Sequence, residues 1–197
     1  MEYCGQAVPF GRTSGEGCKV TIYIVLFRGI NVGGNKKVKM ETLRSLLVEA
    51  GYEGVATYVQ SGNVVLKSSK TARQIAEVIS KRFSGSFGFE SRVFIRSTDE
   101  WNCMINKNPY PQAVENPISL HSVILEGDPT DAALEAFANK ASENESFTIR
   151  NRVLYLYTPN GFGTSPLAAA LDKALKVPLT SRNWRTVLAL QELAEAA

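Results

Sequence analysis

Apolar residues follow two spacings along this chain, and the switches between them outline its fold. Residues 21–28 (TIYIVLFR) form a continuous β-branched and apolar run, as expected of a central strand buried on both faces. After a glycine-rich basic loop, residues 40–50 place Leu43, Leu46, Leu47 and Ala50 at helical spacing, with Gly51 positioned to end the helix. Residues 55–60 and 64–68 read as short strands joined through Ser61, Gly62 and Asn63, a turn sequence that tolerates positive φ. The helical period returns over 71–83 through Ala72, Ile75, Ala76, Ile79 and Phe83, and 92–96 closes the pattern as a strand. The order is βαββαβ, the ferredoxin-like unit.

The second half repeats that order without repeating its letters. Ser97 and Glu100 form a capping box for a short helix bearing Trp101 and Ile105, and the three prolines within 108–117 mark a loop. A strand at 119–125 precedes a helix at 130–141, which carries Leu134, Phe137, Ala138 and Ala141 on one face. Strands at 146–150 and 153–157 meet across Asn151 and Arg152; then come a helix at 166–175, a short strand at 178–181 and a last helix from about 183 to 194. The expected fold is therefore α+β, with two ferredoxin-like, or α/β-plait, modules and a C-terminal helix. Its expected parts are a flexible tail over 1–19, a first module over 20–97, a connector over 98–118 and a second module over 119–197. The tail combines recurrent glycines with Ser, Thr and Pro and shows no apolar period, so burial would not offset its ordering entropy.

Composition narrows the partners. Of 197 residues, 44% are hydrophobic, enough for a real core, and a net charge of +3 is too small to draw the whole molecule onto DNA or a membrane. Any such partner needs a local patch. No apolar run is long enough to cross a bilayer and no signal-peptide pattern opens the chain, so the expectation is a cytoplasmic protein with no membrane partner. Cys4, Cys18 and Cys103 give neither a disulfide framework nor metal-ligand spacing, and His121 is the sole histidine. No metal and no cofactor are expected.

The loop at 29–39 is the strongest candidate for chemistry. Lys36, Lys37 and Lys39, with Arg28 just before the loop, bring four positive charges and no acid, while Gly29, Gly33 and Gly34 let backbone N–H groups turn toward a ligand. The following helix directs its positive end the same way, a combination that favours phosphate or carboxylate. The Walker A spacing fails, because Gly29 and Gly34 fit but Asn35 stands where lysine is required. The plainer reading is a connector that displays solvated lysines. Ser61 and Asn63 could add a hydroxyl and an amide, or simply build a turn. Arg182 with Asn183 and Trp184 could supply a guanidinium at a helix start, or a cap and a packing residue. Tyr155 and Tyr157 share a strand face, as base-stacking aromatics do, but the basic string of RNA-binding sheets is missing.

Four strings, FRGINVGGNKKVKMETLR (27–44), YVQSGNVV (58–65), NGFGTS (160–165) and SRNWRTVLALQEL (181–193), occur in one order and spacing. Together they closely resemble the bacterial family catalogued as domain of unknown function 1697, from about residue 20 to the C-terminus. The resemblance implies a two-module α/β plait and supplies no mechanism. It also implies a basic residue after the serine of NGFGTS, where this chain has Pro166, which weakens an anion role for that segment.

The expected function is a binding module for a phosphate-bearing ligand or nucleic acid. Its site draws on Arg28, Asn31, Gly33, Gly34, Asn35, Lys36 and Lys37, with Ser61, Asn63, Arg182, Asn183 and Trp184. The alternatives are an enzyme that positions a small anionic substrate electrostatically, and a scaffold that recruits a protein through a sheet edge.

Overall fold

The computed structural model describes residues 19–34 and 36–197. The expectation for residues 1–18 of the tail, and the place of Asn35, lie outside the described residues. Two four-stranded antiparallel sheets, each with its own helices, make this a mixed α+β fold consistent with two ferredoxin-like modules.

The first sheet contains β1 (Thr21–Phe27), β2 (Glu53–Tyr58), β3 (Asn63–Ser68) and β4 (Val93–Ser97) in the order β2-β3-β1-β4. Helices α1 (Met40–Glu49) and α2 (Ala72–Phe87) supply the core on one face, where Leu43, Leu47, Ile75, Ile79 and Phe83 join Val25 and Phe27 of β1. The alternate residues Ile24 and Leu26 are buried as well, so the uninterrupted apolar run of β1 reflects burial on both faces. Several element boundaries differ from the sequence expectation by a few residues, and for two of them the backbone shows why. β2 starts earlier, at Glu53, because a bulge between Glu53 and Ala56, containing Gly54 at φ 56°, disturbs the apolar alternation. α2 continues to Phe87, whose ring lies 4.7 Å from Phe83, before Gly88 at φ 73° ends it.

The connecting helix α3 (Thr98–Asn106) is followed by a single 3₁₀ turn at Pro111–Val114. The second sheet contains β5 (Leu120–Leu125), β6 (Ser146–Arg150), β7 (Val153–Tyr157) and β8 (Leu179–Asn183), ordered β6-β7-β5-β8, which is the arrangement of the first sheet again. Helices α4 (Asp131–Ala138) and α5 (Pro166–Leu175) cover it with Phe137, Leu167, Leu171 and Leu175. Helix α6 (Trp184–Glu195) ends the described chain. The chain divides into two compact units: one runs through Cys103 and takes in Leu190–Ala197, and the other is Met104–Ala189. No helix among the described residues is long and apolar enough to cross a membrane.

Candidate functional site

In the first unit, three loops meet at the end of the sheet where β1 finishes. The Phe27 N–H donates to the Gly62 carbonyl at 2.8 Å, which brings in the β2–β3 turn. The Arg28 N–H donates to the Arg92 carbonyl at 2.9 Å, which brings in the segment before β4. The third loop is 28–39 itself. Gly29, Asn31, Gly33, Gly34 and Lys36 all have positive φ, a geometry that glycine adopts without strain and that Asn31 and Lys36 hold as well.

Asn31 locks the loop. Its Nδ2 donates to the carbonyls of Val38 at 2.9 Å and Gln60 at 2.7 Å, while its Oδ1 accepts from the Val38 N–H at 2.8 Å. Its amide thereby ties the two ends of the loop to the neighbouring turn. Asn63 is fully buried and donates to the Tyr58 carbonyl and to Ser61 Oγ, which fixes the turn from within. Gly62 sits so close to the loop that an added Cβ would lie 2.7 Å from Ile30 Cδ1. Asn31 and Asn63 therefore shape this end, and its outward chemistry comes from cations. Lys36, Lys37 and Lys39 are exposed; the Lys36 ammonium lies 5.6 Å from the centroid of the Phe89 ring and 3.4 Å from the Glu90 carbonyl. Gly33, Gly34 and Ser61 are exposed beside them, and Arg28 is half-buried. Arg92, exposed at the same end, was not singled out from the sequence, although the antiparallel pairing of β4 with β1 requires its start to lie where β1 ends. Val32 and Val59 are also exposed here, at 66% and 53%.

Arg182, Asn183 and Trp184 belong to the other unit, at the junction of β8 and α6. Asn183 Oδ1 accepts from the Thr186 N–H at 2.8 Å and so caps α6, and Trp184 is buried 6.2 Å from Tyr155. Arg182 pairs across the sheet with Ser122 and turns its guanidinium back onto Thr180 Oγ1 and the Ser181 carbonyl. Burial lowers its pKa to about 10. The tyrosines of β7 are packing residues: the Tyr155 hydroxyl donates to the Met104 carbonyl at 2.8 Å, and Tyr157 stacks on Tyr110 with centroids 5.5 Å apart.

Ser165 Oγ accepts from the Ala168 N–H and caps α5. Glu145 reaches the same helix start: burial alone would raise its carboxyl, but hydrogen bonds from Ser165, Ser142 and the Leu167 N–H hold it below the usual range. Nearby, the His121 ring lies 4.0 Å from that of Phe162 and its Nδ1 is buried without a partner. Burial lowers its pKa to about 4, so this histidine stays neutral at ordinary pH. Among the described residues, no three His, Cys, Asp or Glu side chains are grouped to hold a metal ion.

None of the curated proteins matches the chain. It is similar to a solved structure, that of the conserved bacterial protein SP0830 from Streptococcus pneumoniae, with a TM-score of 0.69 at 23% identity. That match covers 89% of this chain and 99% of the other, and it shows a shared fold. The family model described as "Protein of unknown function (DUF1697)" matches residues 20–155. The chain belongs to the DUF1697 family.

Proposed function

We propose that this protein is a binding module for a phosphate-bearing ligand, a nucleotide or a nucleic acid, and that the basic loop at 28–39 receives it. The observation that supports this most is the clasp made by Asn31. It holds a glycine-rich loop with positive φ at five described positions, and three exposed lysines stand on that loop. A connector needs no such bracing. A binding loop gains from it, because the entropy of ordering the backbone is settled on folding and not on binding. Arg28 and Arg92 add positive charge at the same end, with the carboxylates of Glu90 and of Glu41, in the first turn of α1, close by in sequence. Asn31 and Asn63 act as supports, and the proposed contacts are Lys36, Lys37, Lys39 and the backbone around Gly33 and Gly34. Arg182 is left out of this site, since its guanidinium is turned onto Thr180 and Ser181.

Calorimetric titration at low salt with inorganic phosphate, nucleotides and short oligonucleotides tests the reading. Binding is expected, and Lys36→Ala with Lys37→Ala should weaken it roughly tenfold, with the thermal midpoint lowered only slightly, because both side chains are exposed and the contacts of Lys36 with Phe89 and Glu90 lie at the surface. If no member of the panel binds, the loop is a connector.

A further inference from the structure

We infer that the ligand of the basic loop is a phosphate monoester whose other end is an aliphatic chain; the inference rests on the phosphate reading above and narrows its ligand. Two valines carry it. Val32 stands on the loop itself, 66% exposed, and Val59 follows β2, 53% exposed. The hydrogen bond from Asn31 Nδ2 to the Gln60 carbonyl, 2.7 Å long, joins the residues next to them in the chain. Backbone and side-chain lengths then hold the two Cα atoms within about 16 Å of each other, in reach of one alkyl chain.

Single exposed valines are ordinary, but Val59 is held at a cost. Its φ of 47° lies in the left-handed region, and among the described residues it is the one β-branched side chain with positive φ. Branching at Cβ makes that conformation unfavourable, and a side chain this exposed gains too little from packing to offset it. Asparagine or glycine would form the turn with less strain. An apolar group held strained at the surface suits a site that covers it on binding. Charge decides what covers it. Val32 shares its loop with Lys36, Lys37 and Lys39, and the hydrogen bond from the Arg28 N–H to the Arg92 carbonyl brings two arginines to the same end. A purely polar phosphate would leave both valines in water, and an uncharged apolar ligand would leave the cations without an anion.

Calorimetric titration of the full chain at low salt tests this with methyl, butyl and octyl phosphate and with adenosine monophosphate. Each methylene that finds cover tightens binding by up to about fourfold, so octyl phosphate should bind at least about tenfold more tightly than methyl phosphate. It should also bind more tightly than adenosine monophosphate. Val32→Ser and Val59→Asn should each reduce the advantage of octyl over methyl phosphate by roughly fivefold, with methyl phosphate binding unchanged. Because asparagine tolerates positive φ, Val59→Asn should raise the thermal midpoint while it weakens the octyl ester. Val48→Ser, on the exposed side of α1, should leave the advantage intact.

Methyl and octyl phosphate binding within about twofold of each other, or adenosine monophosphate binding the most tightly, overturns the aliphatic ligand and leaves the phosphate reading standing. An equal loss in Val48→Ser shows unlocalised apolar adhesion and overturns the site. A midpoint lowered by Val59→Asn shows that Val59 serves packing and overturns its assignment to the ligand. Binding by no probe removes the phosphate reading and this inference with it.

Discussion

Gly62 shows how tightly the candidate site is built. With φ at 73°, its backbone lies in the region that favours glycine, and a Cβ there would meet Ile30 Cδ1 at 2.7 Å and Phe27 Cβ at 2.8 Å. Phe27 is the last residue of β1 and cannot retreat without disturbing the core. Gly62→Ala should therefore destabilise the chain by about 2–4 kcal/mol, overpacking adding to the left-handed strain. Urea unfolding measures this, and a loss under about 0.5 kcal/mol, the level of an ordinary surface change, would show that the turn yields. The same residues mark the limit of what could be read without a structure. Asparagine is both a ligand-type side chain and the non-glycine residue best suited to positive φ, so Asn31 in GINVGG was legible as special but not as a clasp. Its partners, Val38 and Gln60, lie 7 and 29 residues away, and a sequence does not give the second of those distances in space.

Among elements, local signals were read most fully. Ser97 and Glu100 make the reciprocal capping box that their spacing suggested, at 3.2 and 2.8 Å. The hairpin of β6 and β7 turns at Asn151 and Arg152, both at positive φ. One detail repeated in both sheets had no counterpart in matching letters: in the last strand of each, Arg96 and Arg182 fold one guanidinium nitrogen back onto the preceding carbonyl. The approach of Glu145 to the start of α5, which Ser165 caps, was also hidden, because a carboxylate arriving from before β6 leaves no spacing rule to find. Glu145→Ala should lower stability by less than about 1 kcal/mol at neutral pH, since water screens a carboxylate that is only half-buried. The sign of its pH dependence follows from the depressed carboxyl. Stabilisation is full above the ordinary value of 4.5 and is lost as pH falls through the folded value. The difference between wild type and variant should accordingly shrink on acidification below 4.5, and a difference that stays constant would assign Glu145 a packing role instead.

At the scale of the whole molecule, the βαββαβ order was legible twice over because each element is amphipathic at its own period. The strand order 2-3-1-4 then follows from the compact, right-handed ways of folding that sequence of elements. Contacts between distant segments were not legible, and His121 is the clearest case. Its position in β5 did not reveal which face it takes; the structure puts it against Phe162, with Nδ1 buried and unpartnered. Because the imidazole has no hydrogen-bond acceptor for a second proton, burial keeps it neutral down to about pH 4, against an ordinary value of 6.5. In the unfolded chain the same ring takes up its proton near 6.5. Between these values the unfolded state binds more protons, so stability must fall as pH drops from 6.5 toward 4, and the loss levels off below that. The whole effect is about 3 kcal/mol at most, a large share of the stability of a chain this size. His121→Leu keeps an apolar group against Phe162 and removes the titration. Urea midpoints measured across this range should slope for the wild type and lie nearly flat for the variant until the carboxylates, Glu145 among them, begin to protonate near 4.5. Parallel slopes in the two proteins would mean that His121 gains its proton in the folded state at its ordinary pH, and that the ring is not shut away from water.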